Sequence, residues 1–226
     1  MAKLTNTDAM RVKALKEGRT DTQKSVIDYF FLDTKASSGC LASEAKPITD
    51  QAFDELLASK IKEINIETKA LEKTGVDASE VQEVKPVFLQ GYEFGEPDAL
   101  IHRGKDGVWR CSHYQLTMIY FSSKQIFFYQ YSFNLINDET TEFTDEYFYK
   151  DITNFSTTLE TREKRVDVHA GGCLSNDTKP KIEIVQYSSF RLVVPNDVKK
   201  CSMTSSNELE QTIAGIKNKL RDKKSE

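Results

Sequence analysis

The chain is short of glycine and proline, 10 and 5 among 226 residues, which excludes a collagenous or low-complexity protein. It has four cysteines, Cys40, Cys111, Cys173 and Cys201, and no C-x-x-C pair, so the common zinc and thioredoxin spacings are missing. Such sparse, scattered thiols fit a reduced, cytoplasmic protein. No run approaches the roughly 20 apolar residues that span a bilayer, which predicts no transmembrane segment. The first thirty residues mix Lys3, Arg11, Lys13 and Lys16 with Asp8, Glu17 and Asp21 and contain no apolar core of a secretory signal. An excess of positive charge is absent too: the formal net charge is −4, against the expectation for a globally basic nucleic-acid binder.

What is present is a soluble, globular composition, 38% hydrophobic and 29% charged, which changes character near residue 86. Residues 1–86 read as a helical N-terminal region, and residues 87–226 read as a β domain with a C-terminal helix, an α+β organisation. Thr20 or Asp21 is placed to cap a helix carrying Val26, Ile27, Phe30 and Phe31. A clearer helix starts at Thr49, with Ile48 and Phe53 spaced as a hydrophobic staple. Phe53, Leu57, Ile61, Ile64 and Leu71 then recur at helical spacing until Gly75. This stripe either covers a face of the β domain or the preceding helix, or forms a dimer seam; the absence of sustained heptads disfavours a long coiled coil.

The second part is dominated by period-2 text. Phe127, Tyr129, Tyr131, Phe133 and Leu135 alternate with Phe128, Gln130, Ser132 and Asn134, which predicts a strand with one wetter face. Residues His113 to Phe121 precede it through Ser122-Ser123-Lys124, a connection short enough for an antiparallel hairpin. Shorter strands are expected at 143–149, 154–159, 165–170, 181–187 and 190–194. Gly91-Tyr92-Glu93-Phe94-Gly95 lacks the phosphate-loop pattern and reads as a connector. A capped helix then carries Leu209, Ile213, Ile216 and Leu220 on one face and a cationic end that suits the helix dipole.

Several of these segments resemble the pleckstrin-homology-like superfamily over about residues 109–222. Tyr114-Gln115-Leu116-Thr117 with Lys124-Gln125-Ile126-Phe127-Phe128-Tyr129 is similar to the first hairpin of bacterial members. Tyr149-Lys150-Asp151-Ile152 is similar to their aromatic-x-Asp-Ile turn, and Phe190-Arg191-Leu192-Val193-Val194 before a capped helix completes the pattern. The resemblance implies a mainly antiparallel PH-like β-barrel closed by the C-terminal helix. It also implies a non-catalytic binding or scaffold role, with a protein the expected partner. The family's phosphoinositide-binding members carry a cation cluster around the first hairpin loop, where this chain has Lys124 alone, so a headgroup site is not carried over. Arg103, Lys105, Arg110 and Lys124 remain candidates for a basic contact rim, the alternative being solvated loop charges.

Chemistry is thinly represented. His102, His113 and His169 stand in no H-E-x-x-H, and no G-x-S-x-G is present, so no catalytic residue, cofactor or metal ligand is assigned. The carboxylates Asp138, Glu139, Glu142, Asp145 and Glu146 lack EF-hand spacing and read as a solvated hairpin tip. A base-stacking sheet would need interleaved cations, and residues 126–136 contain none, which leaves no support for nucleic acid. Trp109 reads as a core anchor if buried and as an interaction hot spot if exposed. Two functions fit: a cytoplasmic binding or scaffold protein, able to assemble through its N-terminal helices, or a small-ligand binder or enzyme using a barrel mouth with His113, His169 and tyrosines.

Overall fold

A computed structural model describes residues 6–31, 47–81, 85–169, 178–204, 213–215, 217, 218, 221 and 222. Among these residues four α-helices come first: α1 (Asn6–Lys16), α2 (Asp21–Phe30), α3 (Asp50–Ile64) and α4 (Ile66–Thr74). Thr20 caps α2 through a reciprocal box with Gln23, and the Thr49 hydroxyl accepts from the Ala52 N–H to start α3. The single helix expected from Thr49 to Gly75 is two. Asn65 adopts the left-handed conformation (φ 47°) that this side chain tolerates, and its amide donates to the Thr68 hydroxyl across the break. Gly75, also left-handed (φ 66°), terminates α4.

The described strands come next: β1 (Val87–Tyr92), β2 (Ile101–Arg103), β3 (Trp109–Cys111), β4 (His113–Phe121), β5 (Gln125–Asn134), β6 (Thr140–Phe148), β7 (Asn154–His169), β8 (Thr178–Val194) and β9 (Asp197–Met203). They form a four-stranded sheet in the order β1-β4-β5-β6, the β2-β3 hairpin and a three-stranded sheet β7-β8-β9. The expected β4–β5 hairpin is present, with Phe121 opposite Ile126 and His113 opposite Asn134. β1 takes in Gly91 and Tyr92, where a connector was expected. The four short strands expected between 154 and 194 are two long ones, because neither Thr161-Arg162-Glu163-Lys164 nor Ser188-Ser189 supplies a turn residue with a positive φ.

The closed PH-like barrel is corrected by this topology. Among the described residues the strands divide between separate sheets and do not close into one barrel; after Thr204 only residues 213–215, 217, 218, 221 and 222 are described, and these are helical. Leu209, Ile216 and Leu220 of the expected stripe lie outside the described residues; Ile213 is buried in the core between the sheets. The physical cause is that the central strands β4 and β5 are covered on both faces, by helices on one and by the second sheet on the other, while β6 remains a largely exposed edge, so burial is achieved by stacking and not by closure.

The alternation along β4 and β5 sorts residues between these two cores. Leu116, Met118, Tyr120, Phe127, Tyr129, Tyr131 and Phe133 join the helices, where Phe53 stacks on Tyr29 at 4.9 Å and Leu57, Ile64, Ile66 and Ala70 are buried. The helical stripe is therefore covered within the chain, each large side chain contributing about 2 kcal/mol. Ile119, Phe121, Ile126 and Phe128 pack instead with Phe155, Phe190, Leu192, Cys201 and Met203 of the second sheet. The face of β5 expected to be wetter is buried too: Phe128 is fully covered, and Gln130 and Asn134 are almost so.

β9 lies close against β1. A Cβ on Gly91 would sit 2.7 Å from the Met203 backbone nitrogen, so this strand position requires glycine, and the Thr204 N–H donates to the Gln90 carbonyl at 2.8 Å.

Candidate functional site

The four cations expected to form a rim are not brought together. Arg103, Lys105 and Arg110 belong to the β2–β3 hairpin, whereas Lys124 lies exposed in the β4–β5 turn. That turn and the β3–β4 junction are at opposite ends of β4, about 26 Å apart at the usual rise per residue. Arg110 is a structural residue: only 2% exposed, its guanidinium makes a two-pronged pair with Asp54 of α3 (2.8 and 2.6 Å) and a second with Asp106 (3.1 and 2.8 Å). The pairing depresses the Asp106 carboxyl to about 2, its hydrogen bonds from Arg110 being the main cause. Gly104 makes room for it, since a Cβ there would meet Arg110 Nη1 at 2.4 Å. The Lys105 amide donates to Asp50 (2.8 Å), and the Arg103 guanidinium lies 5.7 Å from the half-buried Trp109 ring.

The other candidates are similarly engaged. Tyr29 packs edge-on against the buried His102 at 4.8 Å. The side chain of His169 lies outside the described residues, as do Cys40 and Cys173. Cys111 and Cys201 are free and buried, and burial pushes both thiols up to about 12, too high for thiolate chemistry near neutrality. Two of the three carboxylates of β6 take part in ion pairs, Glu142 with Lys69 and Lys73 of α4 and Asp145 with Lys199 of β9, while Glu146 accepts from the Gln125 amide.

A cleft of about 430 Å³ opens where the polar ends of β4 and β5 meet the loop after β1. Glu93, Glu96 and Asp98 come from that loop, His113 and Gln115 from β4, Gln130, Ser132 and Asn134 from β5, and Thr141 and Phe143 from β6. A neighbouring recess of about 200 Å³ shares Glu93, Glu96 and Gln115 and reaches Tyr187 and Lys200. The loop is held down by β7: Arg162 donates to the Phe94 and Glu96 carbonyls and Lys164 to that of Ile101, while Phe94 packs on Tyr187 at 5.4 Å.

Hydrogen bonds orient each amide. Gln115 Oε1 accepts from the Ser202 N–H (2.7 Å), so its Nε2 donates to Glu93 (2.6 Å) and Ser132 Oγ (3.4 Å). Gln130 Nε2 donates to the Lys200 carbonyl (2.9 Å) and Thr117 Oγ1 (3.3 Å). Asn134 Oδ1 accepts from the Ile136 N–H (3.1 Å), which turns its Nδ2 toward His113 Nε2 (3.1 Å). His113 Nε2 is therefore an acceptor, its Nδ1 carries the hydrogen, and that hydrogen goes to Ser112 Oγ at 3.0 Å.

The Ser112–His113 pair, with Asp98 3.5 Å from His113 Nε2, has the residue types of a nucleophilic triad but not its function. Ser112 is fully buried, its Oγ already accepts from the Leu100 N–H (3.0 Å), and both imidazole nitrogens are engaged. Glu93 is the group poised near neutrality. Burial pushes its carboxyl up to about 7 and Glu96 adds repulsion, while the hydrogen bonds from Ser132 and Gln115 and the charge of Lys200 oppose the rise. Among the described residues no group of three or more His, Cys, Asp or Glu is placed to hold a metal ion.

Of these residues His113 is a candidate from the sequence, whereas Glu93, Gln115, Gln130 and Ser132 are not. A signal for them exists only between strands: Gln115 stands opposite Ser132 and Thr117 opposite Gln130, so one face turns polar when the two strands are laid in register.

No family model matches the chain, no curated protein matches it, and no solved structure matches it. Among the described residues no helix is long and apolar enough to cross a membrane.

Proposed function

We propose that this chain is a non-catalytic binding protein and that the cleft beside Glu93 and Gln115 receives its partner. The observation that carries this reading is the engagement of His113: with both ring nitrogens and the Ser112 hydroxyl already hydrogen-bonded, the cleft offers recognition groups but no free Ser–His nucleophile–base pair. Its volume falls within the range of small-molecule and side-chain pockets. The carboxylates around the cleft disfavour an anionic headgroup.

The test is thermal unfolding of the protein with a panel of small cations, anions and neutral polar compounds, repeated on Ser132→Leu, which fills the cleft. At least one class should raise Tm by several degrees in the native protein and not in the variant. The absence of any saturable shift overturns the reading.

A second reading rests on one observation. A carboxyl raised to about 7 suits proton transfer, so Glu93 would be the general base if the stabilising compound were chemically converted. Turnover abolished by Glu93→Gln would replace the binding role with an enzymatic one.

A further inference from the structure

The cleft walls share a property beyond their negative charge: the donors of their three amides are all engaged within the protein, and one amide oxygen, that of Gln130, accepts no hydrogen bond among the described residues. Gln115 Nε2 is engaged by Glu93 and Ser132, Gln130 Nε2 by Lys200 and Thr117, and Asn134 Nδ2 by His113. The orientation of Gln130 is unambiguous, because the Lys200 main-chain carbonyl can only accept and so must face the NH₂ group. Its Oε1 then has no partner among the described residues, although Gln130 is only 7% exposed. With both bonds of Nε2 directed at Lys200 and Thr117, this oxygen is what Gln130 contributes to the cleft wall.

This oxygen is open to the cleft rather than sealed from solvent, so a donor on a bound ligand can take the place of water there. The surrounding charge specifies the donor's sign. Glu93, Glu96, Asp98 and Glu139 line the cleft, and the cation at the adjoining recess, Lys200, is bridged to Glu160 at 2.5 Å. Phe143, about half exposed at the rim, adds an aromatic face of the kind that attracts organic cations.

We infer that the cleft binds an organic cation rich in N–H donors, a guanidinium or alkylammonium group, with Glu93 and Gln130 Oε1 as its inner acceptors and the loop carboxylates around it. This rests on the binding reading above and specifies its ligand class. A guanidinium suits the geometry best, since its planar fork can donate to a carboxylate and a carbonyl at once. The same group could arrive on a free small molecule or on an arginine side chain of a partner protein, and the two sources differ in whether a peptide backbone must also be accommodated at the cleft mouth.

The experiment is isothermal titration of the full chain with agmatine and with a blocked Gly-Arg-Gly peptide, using citrate and glycerol as charge controls. At least one guanidinium probe should bind with Kd below about 1 mM, a limit set by the few charge-assisted bonds available. Tighter agmatine indicates a free ligand and tighter peptide a side chain; either result supports the inference. Glu93→Gln, which keeps the shape and can still accept from Gln115, should weaken binding at least tenfold. Thr141→Lys, on the exposed edge strand, should do the same by repulsion without disturbing the buried amides. Citrate or glycerol binding in place of both guanidinium probes sinks the cation assignment and leaves the binding role intact. The absence of binding by every probe, with no stabiliser in the thermal panel, removes both. Unchanged affinity in the two variants also overturns the assignment.

Discussion

The two faces of the central sheet are made by the same two strands, β4 and β5, and end up different. The helix-facing set, from Leu116 through Phe133, is apolar or aromatic along its whole length and meets a layer of large side chains on α2, α3 and α4. The opposite set begins equally apolar near the β4–β5 turn, with Ile119, Phe121, Ile126 and Phe128, then becomes polar toward Gln115, Gln130 and Ser132. One face therefore contributes packing alone. The other contributes packing at one end and, beside the loop after β1, a cleft lined with oriented amides.

The contrast is most exposed to test on the helical face. Phe53→Ala removes a fully buried ring stacked on Tyr29 and should cost about 3–5 kcal/mol, read as a lower urea midpoint at unchanged slope. A loss below about 1 kcal/mol would show that the helices are not an integral layer. Arg110→Met comes next. It leaves Asp54 and Asp106 without their shared cation, but both are substantially solvated, so the expected loss is about 2 kcal/mol rather than the larger cost of a fully buried pair.

On the cleft side the expected effect is smaller and depends on pH. The Glu93 carboxyl titrates higher in the folded chain, at about 7, than in an unfolded one, so folding favours its protonated form. That contribution is fully present below the unfolded carboxylate pKa and disappears as pH rises through about 7. Relative to Glu93→Gln, the native protein should therefore gain about 1 kcal/mol between pH 7.5 and pH 5 in chemical denaturation. A constant difference across that window would mean that Glu93 is well solvated. The smallest effect belongs to the outer arm of β7 and β8, where Ile184 is 59% exposed; Ile184→Thr should change stability by no more than about 0.5 kcal/mol. A larger loss would indicate that this face is covered in solution.

Much of the local structure is legible in the chain because it depends on near neighbours. Thr20 and Thr49 announce their helices through capping geometry, and the β4–β5 hairpin is implied by alternation on either side of Ser122-Ser123-Lys124. The break at Asn65 is not legible, since asparagine is acceptable in a helix and reveals its left-handed conformation only when the chain turns there. The basic rim fails for a related reason. Spacing places Arg110 among surface cations, but its fate depends on Asp54, 56 residues away, which draws it under α3. The cleft is hidden because its residues come from the loop after β1, from β4, from β5 and from β6, and none is unusual in its own segment.

Propensity, capping and periodicity act over a few residues, so the order of helices before strands, several helix starts and the alternation across β4 and β5 are properties of the chain's own text. Contacts between distant segments set the rest: the strands form open, stacked sheets rather than a closed barrel, and the polar half of one face becomes a donor-poor cleft. Both outcomes depend on which remote surface comes to cover each face, and no local pattern encodes that.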